Sequence, residues 1–394
     1  MTYLIKLKEG VYWVGAIDWN LRNFHGYLTH RGSTYNAYLI VDEKIALVDT
    51  VKDKSFPEMM ERIREIVDPS EIDYVISNHT EPDHSGCITK LLTIAENAEL
   101  VASNFGVKNL RGYFGEGLKV TSITDKPSIN LGKKTLQFTP IPMVHWPDSM
   151  VTYIPEDKIL LPNDAFGQHI ASSGRFDDEV DPGVLMQEAS TYYANIIMHL
   201  STSVGRALKA LGGLEIDLIG PSHGVIWRSM IGEIMDKYRG WVAGETIPRA
   251  VIVYDTMWES THMIARALSD GVAEGGVEVK LHRLGASHNS DVIADILEAK
   301  AVLVGSPTIN NGVFPTVASF LAYLKGLKPR FKIGAFFGSY GWGGGARKEV
   351  EAGLEAAGIE LIEGDLEYKF RPGAEELLKA REFGRTLTGK ILRG

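Results

Sequence analysis

One run of residues, 78–86, constrains this chain more than any other stretch. A short apolar segment before it, 73–77, predicts a buried strand, and residues 87–97 after it have helical periodicity. The run therefore lies at the carboxyl end of a strand, where open α/β sheets bind ligands. For any one of its side chains a solvated turn is the alternative, but crowded carboxylates repel one another unless a cation neutralises them. The four side chains that predict a metal site here are His79, Glu81, Asp83 and His84.

Three later strand ends supply side chains of the same kind. His145, Asp164 and His223 each follow a segment that reads as a strand, although a turn or capping role is the alternative for each one alone. Together with the first run they provide three carboxylates and four imidazoles, which predicts a dinuclear site. This ligand chemistry suits zinc, iron or manganese. Cys87 is the one cysteine, which excludes a cysteine-ligated cluster or rubredoxin module within this chain.

The second part of the chain has a different and more regular pattern. Residues 243–248 lack apolar periodicity and end in a proline, so we predict two domains, residues 1–248 and 249–394. Five short apolar segments then alternate with helical patterns, which predicts a doubly wound parallel sheet. Before the boundary, residues 183–211 read as one long helix. The predicted strands of the second domain are 250–254, 278–283, 301–305, 332–337 and 359–363.

Loops after the first, third and fourth of these strands carry hydroxyls, amides and aromatic rings. Hydroxyls beside a helix N-terminus form a phosphate cradle, and a capping turn is the alternative. The fourth loop also fits the dinucleotide pattern G-x-G-x-x-A, but that fingerprint belongs to the first turn of a larger sheet, so we do not favour it. The candidate cofactor-binding residues are Thr256, Met257, Trp258, Glu259, Ser260, Thr261, Ser306, Pro307, Thr308, Asn310, Asn311, Gly312, Ser339, Tyr340, Gly341, Trp342 and Gly343.

The order of these motifs resembles a known family. H-x-E-x-D-H followed by His, Asp and His is similar to the metallo-β-lactamase superfamily, whose hydrolytic members carry histidine in place of Glu81 and usually hold zinc. Glu81, together with the motifs at 145–150 and 163–168, resembles the flavodiiron proteins over essentially the whole chain. The resemblance implies an N-terminal metallo-β-lactamase-like αββα sandwich with two irons, and a C-terminal flavodoxin-like doubly wound sheet with FMN.

The resemblance also implies roles for single residues. One iron would take His79, Glu81 and His145, the other Asp83, His84 and His223, with Asp164 bridging them. In this family the residue at His84 can swing away and leave its place to water. Three further residues are candidates for orienting ligands and supplying protons, with ordinary packing as the alternative: His25, Trp146 and Tyr193.

The implied activity is reduction of dioxygen to water, of nitric oxide to nitrous oxide, or both. Rubredoxin or reduced F420 would be the external electron donor, and a head-to-tail homodimer, or a dimer of dimers, would bring the flavin of one subunit to the irons of the other. Two alternatives remain open: a zinc hydrolase fused to a flavodoxin module, and an FMN electron carrier with a vestigial metal site.

Charge and hydropathy argue against some partners. A net charge of −9 argues against nucleic acid. No apolar run approaches the length of a membrane span, and the N-terminus lacks the layout of a signal peptide, so we expect no membrane partner and a cytoplasmic location.

Overall fold

The computed structural model describes residues 4–393, and the chain divides into two compact units. One unit runs to Tyr193 and resumes over Leu200–Arg239, whereas the other comprises Ala194–His199 and the chain from Gly240 onward. The predicted boundary between residues 248 and 249 falls within the strand that begins at Ile247, and it stays a prediction. Within residues 4–393, no helix has the length and apolar character needed to cross a membrane.

The elements before residue 246 are mostly short. The strands are β1 (Ile5–Lys8), β2 (Val11–Trp13), β3 (Ala16–Asp18), β4 (Asn23–Phe24), β5 (Tyr27–Leu28), β6 (Ser33–Tyr35), β7 (Tyr38–Val41), β8 (Ile45–Val48), β9 (Tyr74–Ser77), β10 (Glu99–Ala102), β11 (Thr121–Ser122), β12 (Ser128–Asn130), β13 (Thr135–Pro140), β14 (Met150–Ile154), β15 (Ile159–Asn163) and β16 (Leu218–Pro221). The α-helices are α1 (Phe56–Arg64), α2 (Pro82–Ser85), α3 (Ile88–Leu92), α4 (Asn104–Phe114), α5 (Pro182–Tyr192), α6 (Ser201–Leu211) and α7 (Ile231–Ala243).

Two large sheets form the core of the first unit, and β3-β6 and β4-β5 form two small two-stranded sheets. One large sheet has the strand order β1-β2-β7-β8-β9-β10-β11, and the other has the order β12-β13-β14-β15-β16. Alternate residues of a strand point to opposite faces. In β8, Ala46 and Val48 belong to the apolar core that also contains Leu136 and Met150 of the second sheet. Leu47 points the other way and is still fully buried, so both faces of the first sheet are covered, as a metallo-β-lactamase-like sandwich requires.

The second unit holds the remaining elements. The strands are β17 (Ile247–Tyr254), β18 (Glu278–Arg283), β19 (Ala299–Pro307), β20 (Ile333–Tyr340), β21 (Glu360–Leu361) and β22 (Glu367–Lys369). The α-helices are α8 (Ser260–Glu274), α9 (Asn289–Glu298), α10 (Pro315–Leu327), α11 (Ala346–Ala356) and α12 (Ala374–Arg393).

These strands form one parallel sheet with the order β18-β17-β19-β20-β21, and β22 also pairs with β20. In β17, Ala250 and Ile252 lie in one apolar cluster, whereas Val251 points to the opposite face and is also fully buried. Burial on both faces is the property of a doubly wound sheet. The flavodoxin-like prediction for this part of the chain is therefore confirmed.

Four details of the sequence-based prediction were wrong. The helix expected over 87–97 is shorter, and an additional helical turn, α2, carries Asp83 and His84. The long helix expected over 183–211 breaks at Tyr193 into a wide turn. Asn195 in this turn accepts a hydrogen bond from Tyr323 Oη at 2.7 Å and donates to the Ser290 carbonyl at 3.1 Å, so tertiary contacts override the helical pattern. The last strand is also shorter, and β22 was missed.

Candidate metal centre and ligand cavity

Loops at the strand ends of both large sheets of the first unit bring the predicted metal-binding side chains together. His79 and Glu81 follow β9, whereas His145 lies in the loop between β13 and β14. His79, Glu81, His145 and Asp164 form what we term the first ligand group, and Asp83, His84 and His223 form the second ligand group. In each group one ligand atom per residue lies within 4.8 Å of all the others.

Distances within the first ligand group are short enough for one shared cation. His145 Nε2 lies 3.2 Å from Glu81 Oε2 and 3.3 Å from Asp164 Oδ2. His79 Nε2 lies 3.4 Å from the same Glu81 oxygen and 3.5 Å from the same Asp164 oxygen. Two imidazoles and two carboxylates therefore converge on one point.

The second ligand group converges in the same way. His223 Nε2 lies 3.3 Å from Asp83 Oδ2, and His84 Nε2 lies 3.5 Å from Asp83 Oδ1. The remaining oxygen of Asp164, Oδ1, lies 3.1 Å from His84 Nε2 and 3.5 Å from His223 Nε2. One carboxylate thus faces both groups, which is the arrangement of a bridging ligand.

Several polar atoms of this cluster lack a hydrogen-bond partner. Both carboxylate oxygens of Asp83, both oxygens of Asp164 and both ring nitrogens of His84 are buried and unsatisfied. Buried polar atoms in proteins almost always have a partner, and a bound cation would supply it here. Imidazole and carboxylate ligands suit iron, zinc or manganese, so these residues fit a two-metal centre.

Electrostatics also favour a cation at this position. Burial lowers the pKa of His79, but the hydrogen bonds to Asp148 and Glu81 outweigh this and raise it to about 10. Burial opposes the charged form of His145 as well, yet the nearby carboxylates of Asp164 and Glu81 raise its pKa to about 10. Carboxylates that hold imidazole protons so tightly will also attract a metal ion, which replaces those protons.

The three predicted neighbours of the centre lie in different settings. His25 Nε2 is 3.1 Å from Glu81 Oε1, and its side chain is 71% exposed. The Trp146 ring packs edge-on against His79, with 4.9 Å between ring centroids. The Tyr193 hydroxyl instead lies 2.9 Å from Ser201 Oγ, and its ring packs against Tyr238.

Sequence reasoning missed two side chains that contact the centre. The Tyr192 ring, one residue before Tyr193, packs against both His169 and His223. His169 is buried, lies 4.8 Å from His223 between ring centroids, and pairs with Tyr27 Oη and with Ser33 Oγ. Burial and the proximity of His223 hold the pKa of His169 well below its usual range, so this ring stays neutral. No spacing rule marks either residue, because only the fold brings them to the ligands.

In the second unit, a cavity of about 870 Å³ opens among the loops after β17, β19 and β20, within the size range of small-molecule sites. Thr256 Oγ1 is buried there without a hydrogen-bond partner. Trp258 and Trp342 on its lining are 89% and 94% exposed and offer flat faces to a ring. The predicted residues on its lining are Thr256, Met257, Trp258, Ser260, Pro307, Thr308, Asn310, Asn311, Ser339, Tyr340, Gly341, Trp342 and Gly343.

Four predicted cofactor residues lie outside this lining and stabilise the loops instead. Thr261 Oγ1 lies 3.3 Å from Ser339 Oγ. Ser306 Oγ accepts a hydrogen bond from the Phe314 backbone N–H. Glu259 pairs with Arg283 at 3.2 Å, and a side chain at Gly312 would collide with Glu349. Sequence reasoning missed three lining residues, Ile309, Phe370 and Arg371; the last two follow β22, which the sequence pattern did not reveal.

Comparisons with known proteins agree with this architecture. The profile of the "ODP family beta lactamase" matches residues 34–224, and that of "Flavodoxin" matches residues 252–384. The chain is 48% identical to "Nitric oxide reductase" of Moorella thermoacetica, over 99% of this chain and all of the relative. The chain belongs to the flavodiiron protein family. Another flavodiiron relative, "Rubredoxin-oxygen oxidoreductase" of Megalodesulfovibrio gigas, is 40% identical over 90% of both chains.

The solved structure of the flavodiiron protein from Giardia intestinalis superimposes on this chain with a TM-score of 0.95 at 34% identity, covering 100% of this chain and 98% of that one. The resemblance inferred from the motifs is therefore confirmed, as is the combination of a metallo-β-lactamase-like part with a flavodoxin-like part.

Proposed function

We propose that this flavodiiron protein is an oxidoreductase that reduces dioxygen to water, nitric oxide to nitrous oxide, or both, at a non-haem two-iron centre. FMN relays the electrons from an external donor. The observation that carries the proposal is Asp164, whose two oxygens face two separate groups of metal ligands. The second support is the cavity among the flavodoxin loops. Relatives carry the names "Nitric oxide reductase" and "Rubredoxin-oxygen oxidoreductase".

The ligands divide between two positions. His79, Glu81 and His145 would hold one iron, and Asp83, His84 and His223 would hold the other, with Asp164 shared between them. His84 belongs to this set because its Nε2 points at both Asp83 and Asp164. The unsatisfied oxygens of Asp83 and Asp164 support this assignment.

Two iron ions and FMN together store four electrons, which is the number needed to reduce dioxygen to water. The chain's own residues prepare the site for that chemistry. His25 is exposed and its Nε2 lies 3.1 Å from Glu81 Oε1, so it can carry a proton between the centre and solvent. Trp146 packs against His79 and excludes water from that side. The neutral His169 ring is hydrogen-bonded to the hydroxyls of Tyr27 and Ser33.

The flavin is held by the three loops of the second unit. The backbone N–H groups at the start of α8 and the hydroxyls of Thr256 and Ser260 suit its phosphate, since a helix N-terminus attracts anions. Trp258 and Trp342 suit the flat ring system because aromatic faces stack on it. The buried, unsatisfied Thr256 Oγ1 supports this placement.

The electron donor is external, and a rubredoxin-type protein is the first candidate because a relative is named for that reaction. Reduced F420 is the second candidate. We further propose a head-to-tail homodimer, alone or as a dimer of dimers, in which the flavin of one subunit serves the irons of the other. A cytoplasmic location belongs to the same proposal.

The alternatives are less well supported. A zinc hydrolase fused to a flavodoxin module does not explain a carboxylate at Glu81, which adds negative charge and favours the higher oxidation states of iron. An FMN electron carrier with a vestigial metal site does not explain seven convergent ligands.

A reductive assay tests the proposed function. The iron-loaded protein is mixed anaerobically with reduced rubredoxin or reduced F420, and dioxygen or nitric oxide is added. We expect consumption of at least one gas together with reoxidation of the donor. If neither gas is consumed while FMN is reduced by the donor, the protein is a carrier and the proposed function is wrong.

A further inference from the structure

Among the imidazoles of the two ligand groups, His79 has an unusual hydrogen-bond partner. His79 Nδ1 donates to Asp148 Oδ2 at 3.0 Å, so the ring is protonated at Nδ1 and offers Nε2 to a metal. Two of the other imidazoles have a weaker partner or none. His223 Nδ1 donates to the Thr34 carbonyl at 2.7 Å, and His84 Nδ1 has no hydrogen-bond partner. A carboxylate partner raises the basicity of a metal-binding imidazole more than a neutral carbonyl does.

Asp148 itself is held firmly in place. Its carboxylate is fully buried, and Oδ2 also accepts hydrogen bonds from the Thr80 backbone N–H at 2.7 Å and from Thr80 Oγ1 at 2.8 Å. Its backbone carbonyl accepts a hydrogen bond from Ser103 Oγ at 2.6 Å. The carboxylate therefore fixes both the ring of His79 and the backbone of the segment that carries Glu81.

Asp148 also joins two loops of the first ligand group. It lies three residues after His145 in the loop between β13 and β14, and its side chain reaches the loop after β9. Both loops supply ligands to the first group. No comparable carboxylate contacts the rings of His84 or His223 among the described residues, apart from the ligands themselves.

We propose that Asp148 is the positioning residue that makes the first ligand group the tighter of the two metal positions. It does so by orienting His79, by keeping its proton on Nδ1 and by increasing the electron density at Nε2. The inference rests on the proposed two-metal centre, and it assigns an order to the two positions that the ligand set alone does not give.

Asp49 provides a matched control. It is a second buried aspartate behind the same segment, and its Oδ1 accepts a hydrogen bond from the Asn78 backbone N–H at 2.8 Å, while Oδ2 accepts from Asn163 Nδ2 at 3.1 Å. Asp49 accepts these hydrogen bonds from a backbone N–H and a side-chain amide. Unlike the bond between His79 and Asp148, neither involves an imidazole of the two ligand groups. The variants D148N and D49N therefore both remove a buried charge, but only D148N alters the partner of His79.

The experiment is stepwise removal of Fe²⁺ by a competing chelator, under anaerobic conditions, with iron counted per bound FMN. We expect wild type to lose its two irons in two separate steps. In D148N the tighter step should weaken by about 10–100-fold, the range for lost partners of metal ligands, while the weaker step changes less. D49N should keep the wild-type separation of the two steps.

Three results would overturn the proposal: an unchanged tighter step in D148N, equal weakening of both steps, or the same change in D49N. If D148N does not fold, T80V replaces it. That variant keeps the Asp148 carboxylate but removes the Thr80 hydroxyl bond to it, together with the bond that Asn109 Nδ2 donates to the same hydroxyl. It should weaken the tighter step in the same direction by a smaller factor; no shift in T80V would contradict the proposal. Wild type that binds no iron at all would instead refute the two-metal centre.

Discussion

Asp164 Oδ1 lies 3.1 Å from His84 Nε2, on the opposite side of the carboxylate from the first ligand group. The contact places His84, the ligand that the family resemblance left least certain, among the inward-facing side chains. It also makes the site symmetric in outline, with one shared carboxylate between two sets of ligands. The activity that we propose depends on that shared ligand, because two ions held by one carboxylate can act on both atoms of a small substrate.

The first prediction concerns Glu81. Its carboxylate distinguishes this candidate centre from the hydrolytic members of the metallo-β-lactamase superfamily, which carry histidine at that position. The variant E81A should lose reduction of both dioxygen and nitric oxide to background, because the first position loses a ligand, while FMN stays bound in the other unit. Gas consumption and flavin absorbance measure the two effects.

E99A is the control for this substitution. Glu99 is a partly exposed carboxylate of the same unit that pairs with Lys126. It belongs to neither ligand group. It should retain wild-type turnover. Retained turnover in E81A would remove the metal centre from the mechanism.

The second prediction concerns the flat faces in the flavodoxin cavity. Trp342 is 94% exposed and lines the cavity. W342A should weaken FMN binding by about tenfold, or about 1.4 kcal/mol, because stacking on an aromatic face is lost. Recovery of flavin fluorescence on dilution gives the dissociation constant. W19A removes another exposed tryptophan, in the first unit, and should leave FMN binding unchanged; equal losses in both variants would contradict the placement.

The third prediction uses a pair of leucines in the second unit. Leu303 in β19 is fully buried, whereas Leu378 in α12 is 65% exposed. L303A should lower the free energy of unfolding by about 2–5 kcal/mol, since it leaves a cavity in the core. L378A should change it by less than about 0.5 kcal/mol. Urea unfolding, monitored by the release of the flavin, compares the two variants. Equal midpoints would show that the core is packed differently.

The fourth prediction is a pH dependence that arises from Lys332. This lysine is buried, and its Nζ donates to the Leu297 carbonyl at 2.8 Å. Burial, with some repulsion from Lys300, lowers its pKa from 10.5 to about 7, against a small opposing effect of Glu298. Above pH 7 the unfolded chain therefore holds a proton that the folded protein has released. The folded state then gains stability as the pH rises, by at most about 1.4 kcal/mol per pH unit.

The variant K332M isolates this effect. The free energy of unfolding of wild type, measured relative to K332M, should increase between pH 7 and pH 9. K348M replaces an exposed lysine of α11 and should show a constant difference from wild type over the same range. A flat difference for K332M would mean that its ammonium stays charged in the folded protein.

The candidate metal ligands could be picked out from the sequence because each of them follows a strand or lies within a few residues of one. The strand-end positions of His79, Asp164 and His223 are visible as apolar runs followed by a polar side chain, and the fold places them as expected. His169 and Tyr192 could not be found in this way. Their contacts with His223 are long-range, and no local pattern encodes them.

Most strands of the flavodoxin-like part were predictable for the same reason. The elements that were missed there have a weak local pattern. β18 begins and ends at the predicted residues. The predicted segments 250–254 and 301–305 lie within β17 and β19, where the residues are buried on both faces and read as apolar runs. β22 is only three residues long and partly exposed. Its apolar content is too small to stand out, so Phe370 and Arg371 were missed with it.

The measurement that tests the central claim most directly is the metal content of the protein purified from iron-replete culture, counted per bound FMN. The account predicts about two irons per FMN, because two ligand groups share Asp164. Zinc in place of iron, with little iron bound even after anaerobic reconstitution, would contradict it and favour the hydrolase. A protein with FMN and no metal would contradict it as well and leave an electron carrier.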